Sequence, residues 1–375
     1  MDFQLSEEQQ LLADSVRRLF DNNYDFESRK KIVASAQGSS EDTWAKLAEF
    51  GLLGLPLSED SGGFGGGAND LIPVMEAIGE ALVLEPFAPT IAMARLVERA
   101  GSPAQRDALL GSVIEGSCRL ALACTEPGSR YDQTAIAASA RRDGEGWVLD
   151  GSKINVIGAP QAHQLIVSAR TSGKPGEADG VSLFLVPANA GGLTQKTYRT
   201  QDSLRAADIT LTGVKLGADA LIGTAGQGLA ALDEALDFVS ALLCAEAVGA
   251  MKFACDTTLE YLKTRKQFGV PIGAFQALQH RMVDMYICTE QSRSITYLAC
   301  ARVDGGADAA ERRRVVAAAR VKIAEAARQV GQEAIQLHGG MGMTLEMKVS
   351  HTFKRLTMIS QAFGDADYFI ERFAH

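Results

Sequence analysis

The strongest constraint on how this chain can fold is a switch of hydrophobic period: helical spacing first, then short punctuated apolar runs, then helical spacing again. From Ser6 onward Leu11, Leu12, Val16, Leu19 and Phe20 recur three or four residues apart, behind Glu7 and Glu8, which suit a helix N-terminus. Helical patterns return over 41–50, 70–84 and 89–100, interrupted by the glycine-rich SGGFGGG at 61–67. Between Leu120 and about Gly223 the apolar runs shorten to 147–149, 164–169, 182–186 and 208–211, separated by Gly, Asp and Pro, which reads as strands. After Gly228, long stretches rich in alanine and leucine predict helices over 229–264, 275–304, 307–337 and from 348 to the C-terminus. The expected fold is therefore α+β but mostly α. An N-terminal helical bundle spans 1–118, a middle β-domain 119–226 and a C-terminal four-helix bundle 227–375.

Composition narrows the function classes. The chain has 375 residues, 46% hydrophobic and 22% charged, with a mean hydropathy of zero, which suits a globular protein with cores that need no disulfide or metal support. A net charge of −9 argues against a phosphate-backbone binder, so no nucleic-acid partner is expected. The six cysteines, Cys118, Cys124, Cys244, Cys255, Cys288 and Cys300, have neither CxxC spacing nor a His/Cys ligand cluster; they read as reduced core thiols, with no metal expected. No segment offers the roughly 18 uninterrupted apolar residues of a membrane span. The first residues run straight into an amphipathic helix and lack the layout of a signal or transit peptide, so a cytoplasmic location is expected.

The common nucleotide and hydrolase motifs GxGxxG, GxxxxGK[ST], GxSxG and HExxH are absent. Three other segments carry chemistry. Ala121-Leu-Ala-Cys-Thr-Glu-Pro-Gly128 reads as a strand running into a turn, able to present Leu122, Cys124 and Thr125 to a polar ring edge. Thr264-Arg-Lys-Gln-Phe-Gly-Val-Pro-Ile272 precedes Phe275-Gln276, and Gln336-Leu-His-Gly-Gly-Met-Gly342 places paired glycines where a backbone can approach a ligand closely. In this order and spacing the three segments resemble the acyl-CoA dehydrogenase family over essentially the whole chain. Minor matches at Gly51-Leu-Leu-Gly-Leu-Pro56, Ser203-Leu-Arg-Ala-Ala-Asp208 and Ile222-Gly-Thr-Ala-Gly-Gln-Gly228 support it.

The resemblance implies FAD as cofactor. Leu122, Cys124 and Thr125, with Asn155, Val156 and Ile157, would lie along the flavin ring. Arg265 would pair with the pyrophosphate, Gln267, Phe268 and Gln276 would line the same cofactor, and Gln336, Gly339 and Gly340 would take the adenosine. It also implies that the RKQFG segment and the adenosine turn belong to different subunits. The implied reaction is oxidation of an acyl-CoA thioester to the 2,3-enoyl-CoA, with electrons passed to an electron-transfer flavoprotein.

This chain departs from the family at its base. The usual glutamate aligns with Gly364, and the alternative glutamate slot falls near Val239. The arginine often found on that helix corresponds to Ser240, and the usual Trp-Ile-Thr is replaced by Asn155-Val156-Ile157. Two readings follow. Asp365, one residue past the empty slot, acts as base, or a related subunit supplies it; the structural alternative for Asp365 and Asp367 is helix capping. The FGDAD ending resembles the small subunits of two-component members, those of pimeloyl-CoA dehydrogenase among them. Expected partners are thus an acyl-CoA and either a second copy or a related large subunit. A silent half-site subunit and a flavoprotein with a different substrate are the competing functions.

Overall fold

The computed structural model describes residues 6–305 and 308–375. Six helices come first: α1 (Glu7–Asn23), α2 (Phe26–Ala34), α3 (Glu41–Glu49), α4 (Ala68–Ala81), α5 (Phe87–Ala100) and α6 (Pro103–Ile114). Eight strands follow: β1 (Leu120–Ala123), β2 (Ser139–Asp143), β3 (Gly146–Ile157), β4 (Gln164–Arg170), β5 (Val181–Pro187), β6 (Leu193–Arg199), β7 (Arg205–Leu216) and β8 (Leu221–Ile222). The chain then forms α7 (Leu229–Thr264), a small hairpin of β9 (Lys266–Gln267) and β10 (Val270–Pro271), α8 (Gln276–Asp304), α9 (Ala309–His338), α10 (Lys348–Ile359) and α11 (Ala366–Ala374).

These elements make two compact units, with α7 passing from one to the other between Val239 and Ser240. A mixed unit holds 32–67 and 84–239, and a helical unit holds the residues up to Lys31, 68–83 and 240–375.

In the mixed unit the eight strands form one sheet in the order β6-β7-β3-β2-β4-β5-β8, with β1 paired parallel to β4. Its core includes Leu149, Val167 and Ile209, with Trp147 and Phe184 meeting edge to face at 5.3 Å. Helix α5 is tied to β1 through Thr90, whose Oγ1 meets both Leu120 N and Leu120 O at 3.3 Å.

In the helical unit two glycines set the approach of α4 to α7. A Cβ on Gly79 would fall 2.0 Å from Glu246 O, and one on Gly249 would fall 1.9 Å from Glu76 O, so only glycine lets these backbones touch. Charges buried at these helix contacts are paired. Arg355 holds Glu246 by two contacts of 2.5 and 2.7 Å, and Arg293 Nε lies 3.3 Å from Glu76.

The structure adds to the sequence expectation in several places. Helices α2 and α6 escaped the periodicity reading, although α6 has a full capping box between Ser102 and Gln105 with Pro103 at its start. The helix expected from 307 runs over Ala309–His338; residue 307 itself lies outside the described residues. The single helix expected from 348 onward is two helices. Phe363 takes φ 58°, Asp365 caps the new start, and Arg320 gathers the carbonyls of Ile359 and Ala362, each at 2.7 Å. All six cysteines are free, but Cys288 is only half-buried, with Sγ 3.2 Å from Gln329 Oε1. By length and composition α7 could cross a membrane; 89% of its most apolar window is buried inside the protein, as in a core helix.

Candidate flavin site

The mixed unit assembles one group of the expected residues around a β-bulge. The register of β3 against β7 slips between Lys153 and Val156, and Asn155 sits on the bulge at φ 54°, a conformation that asparagine tolerates better than most side chains. Asp208 on β7 braces it, accepting from Asn155 N at 3.1 Å and from the Tyr198 hydroxyl at 3.0 Å. Burial, and then the hydrogen bond to Asp208 and its charge, push the Tyr198 phenol up to about 12, so it remains a donor. Beside the bulge, Ile154 N donates to Thr125 O at 2.9 Å, which places the end of the TEPG strand against the Asn155–Ile157 backbone.

Below this junction lies an ion pair that the sequence reading did not single out. Lys153, fully buried, donates to Glu126 Oε1 at 2.6 Å and to Ser168 Oγ at 3.0 Å. Glu126 also accepts from Ala137 N at 2.7 Å and from Ala138 N at 3.1 Å, so the carboxylate is saturated by donors. Burial lowers the Lys153 ammonium below its usual range, opposed by the Glu126 charge. Within this frame Leu122, Cys124 and Val156 are buried, Thr125 and Ile157 are half-buried and Asn155 is exposed. The Cys124 thiol is raised by burial, which keeps it protonated and unreactive. The cue that could have found this pair was a lysine two residues before the bulge, on a strand that also buries Trp147, Leu149 and Val156.

The helical unit assembles the second group. A cavity of about 560 Å³ is lined by Arg265, Gln267, Gln336, Gly339 and Gly340, together with Tyr261, Arg281 and His338. The RKQFG segment and the glycine turn therefore share one cavity of a single chain; the expectation that they act in different subunits is corrected. The β9–β10 hairpin carries the arginine there, with Ile272 N bonding Arg265 O at 2.9 Å. Arg265 is exposed and has no ion-pair partner among the described residues, whereas Arg281 is held by Glu333 at 2.5 Å. Gly339 has φ +60°, and a Cβ on Gly339 or Gly340 would meet nothing within 4 Å, so the turn faces open space.

His338, read from sequence as a packing or adenine-adjacent residue, is 2% exposed and stacks on Tyr261 at 4.5 Å. Its Nδ1 lies 2.8 Å from Ala334 O, while Nε2 is buried with no hydrogen-bond partner. Two expected residues lie off this cavity wall. Phe268 projects outward, 91% exposed, and Gln276 is an exposed residue at the start of α8.

Gly364 is closed to any side chain, since a Cβ there would lie 2.4 Å from the Tyr368 ring and 2.5 Å from the Phe369 ring. Asp365 is the N-cap of α11, its Oδ1 accepting from Tyr368 N at 2.9 Å. The capping alternative left open by the sequence is thus the contact that the carboxylate makes. Asp367 lies in the first turn of the same helix. Among the described residues no group of three or more His, Cys, Asp or Glu side chains is placed to hold a metal.

An unpaired arginine, an orphaned buried ring nitrogen and a glycine turn on one cavity have the chemistry to hold a dinucleotide, the kind of cofactor a flavin-dependent oxidoreductase carries. Comparison with known proteins agrees. Models of the acyl-CoA dehydrogenase N-terminal, middle and C-terminal domains match residues 6–117, 121–214 and 226–374. The chain is 33% identical to acyl-CoA dehydrogenase FadE12 of Mycobacterium tuberculosis over 352 residues, 92% of this chain and 89% of that protein. The FAD complex of PigA superposes with a TM-score of 0.92 at 30% identity, covering all of this chain and 98% of the other. A variant of the Tcur3481–Tcur3483 steroid acyl-CoA dehydrogenase superposes at 0.88 with 33% identity, covering 98% and 97%. The chain belongs to the acyl-CoA dehydrogenase family, and FAD is its cofactor.

Proposed function

We propose that this chain oxidises an acyl-CoA thioester between its α and β carbons to the 2,3-enoyl-CoA and passes the electrons to an electron-transfer flavoprotein. The observation that carries this reading is the helical-unit cavity where Arg265, the Gln336–Gly340 turn and His338 meet. Bound there, FAD supplies the two-electron acceptor. The chain's own residues then have three tasks. Arg265 and the glycine turn hold the dinucleotide, the Thr125–Asn155 junction fixes a polar edge for the ring, and a base accepts the α-proton.

Asp365 is the candidate base. Its Oδ1 is engaged in capping, while Oδ2 has no hydrogen-bond partner among the described residues. A second reading, a base supplied by a related subunit, would account for a slot at Gly364 that Tyr368 and Phe369 close to any side chain of its own. Assembly belongs to the same proposal, as a tetramer of identical chains or with a related large subunit. It is supported by exposed apolar side chains in the helical unit, including Phe268, Tyr286, Met343 and Leu345. A cytoplasmic location completes the proposal.

The test is to purify the protein, alone and with any related subunit, and follow the flavin spectrum as a panel of acyl-CoAs and electron-transfer flavoprotein are added. Bleaching by one class of thioester is expected. Asp365→Asn keeps the cap, because asparagine caps as well as aspartate, so flavin content and stability should be unchanged while bleaching is lost. Equal bleaching by wild type and variant transfers the base to a partner.

A further inference from the structure

In the helical unit one lysine stands without a carboxylate. Lys348 opens α10, with Met347 as the helix cap. Its Nζ lies over the Phe253 ring of α7, 4.2 Å from the centroid. Among the described residues Lys348 makes no ion pair and no hydrogen bond. Two other lysines mark the contrast. Lys252, next to Phe253 in the chain, contacts Asp256 at 2.9 Å and Glu80 at 3.7 Å. Lys153 of the mixed unit is fully buried against Glu126 at 2.6 Å. Lys348 is only half-buried, so a solute that cannot touch Lys153 can reach it.

The charges that face Lys348 come from three helices. Arg29 on α2 is buried and repels it, with its own donors turned to Leu82 O at 2.7 Å and His351 Nδ1 at 3.5 Å. Glu80 on α4 and Asp21 on α1 attract it less strongly. Glu80 is shared with Lys252 and Arg17, and Asp21 is exposed, where water and salt screen it. On its own helix Lys348 occupies the first turn, where the dipole opposes a cation. Burial, and then the Arg29 charge, bring the Lys348 ammonium down from the usual 10.5 to about 8. Desolvation and a neighbouring cation are the two devices that activate a lysine as a nucleophile.

We propose that Lys348 is a covalent modification site, an amine that takes the acyl group of a short CoA thioester directly. The neutral Nζ attacks the thioester carbonyl carbon. The C–N bond forms, the C–S bond breaks, and the amine proton leaves with the sulfur as the CoA thiol. Nothing is oxidised or reduced. The product is an uncharged amide, which takes a cation away from Arg29 and from the positive end of α10.

The size of the effect follows from two opposed terms. At pH 8 a lysine titrating near 8 carries about two powers of ten more free amine than one at 10.5. Nucleophilicity falls with basicity, with a coefficient of about 0.4–0.5 for thiols, and the same trade for an amine returns about one of those powers. A net advantage of roughly ten-fold remains.

The test incubates the purified FAD-loaded protein, with its partner subunit where one is needed, with acetyl-CoA over a series of pH values and follows Lys348 by peptide mass spectrometry. The chain unfolded in guanidinium chloride is the reference, because it presents the same lysine without its surroundings. Acetyl-CoA has no β-carbon, so the dehydrogenase reading neither assists nor obscures the reaction. At pH 8 the folded protein should be acetylated at Lys348 about ten-fold faster than the unfolded chain. The folded rate should climb with pH to about 8 and then level off, whereas the unfolded rate keeps climbing. Equal rates in the two states, a folded rate that rises as the unfolded one does, or a folded protein that stays unmodified at Lys348 would each overturn the proposal. None of these outcomes bears on the dehydrogenase reading.

Discussion

The two groups of candidate flavin-site residues are built on opposite plans. In the mixed unit, the Thr125–Asn155 junction stands on the buried Lys153–Glu126 pair, with Glu126 bonded on both oxygens. In the helical unit, Arg265 and Gly340 face open space, and the nearby polar atom left without a partner is His338 Nε2. A satisfied buried network holds a shape but has little capacity left for a ligand, whereas an open wall of unsatisfied polar groups binds one and contributes little to folding. The first group should therefore fail by losing stability and the second by losing cofactor.

The largest expected effect belongs to the closed half. Glu126→Ala strands a buried ammonium and two backbone N–H groups, and removing one partner of a buried ion pair costs about 3–5 kcal/mol. Urea unfolding of the purified protein measures it, and most of the loss should return in Glu126→Gln combined with Lys153→Met. A single-variant loss below about 1 kcal/mol would erase the contrast between the halves.

The open half predicts a smaller effect of a different kind. Arg265→Ala should weaken FAD binding by one to two powers of ten, the loss of a charge-assisted contact worth about 1.5–3 kcal/mol, while the stability of the FAD-free protein stays unchanged. Flavin fluorescence titration reads the first quantity and thermal unfolding without FAD the second. A variant that unfolds earlier yet binds FAD normally would reverse the roles of the two halves.

This contrast also explains what the sequence revealed. Motifs that meet a ligand stand in contiguous peptide, so TEPG, RKQFG and QLHGGMG were visible, as was the period of α7, read over 229–264 as it stands. What holds those motifs in place is distant in sequence. Glu126 and Lys153 are 27 residues apart, and Arg320 reaches Ile359 and Ala362 over 39 and 42. Pairings of that separation leave no local pattern. Two strands, β2 inside the sheet and β6 at its edge, escaped for a different reason. Along β2 a single residue is buried and along β6 none is, so the hydrophobic alternation that marks a strand is missing. The break before α11 depends on Phe363 adopting a positive φ, which its side chain does not announce.

The smallest expected effect concerns His338, the point where the open half touches the core. Burial holds its imidazole below the usual histidine range, against the weaker pull of Ala334 O. With Nδ1 donating to that carbonyl, Nε2 is the basic atom, and protonating it would place a charge in a 2% exposed position stacked on Tyr261. The sign follows from the depressed value. Well above the ordinary histidine value of 6.5 both folded and unfolded chains hold the ring neutral and nothing changes. As pH falls through that value the unfolded chain takes up the proton first, so stability declines until the folded ring protonates too, with a slope of at most about 1.4 kcal/mol per pH unit for one proton. His351 is lowered in the same direction, mainly by burial, so wild type alone does not isolate the effect. His338→Gln does, because it removes one titrating ring and leaves the other. Between pH 7.5 and about 5.5 the variant should lose less stability than wild type in parallel urea titrations. FAD should flatten the wild-type slope only if a cofactor donor reaches Nε2, since that bond is made by the neutral ring. Identical slopes for wild type and variant would mean that His338 is protonated as readily in the folded protein as in the unfolded chain, and the open half would then have no pH-sensitive contact with the core.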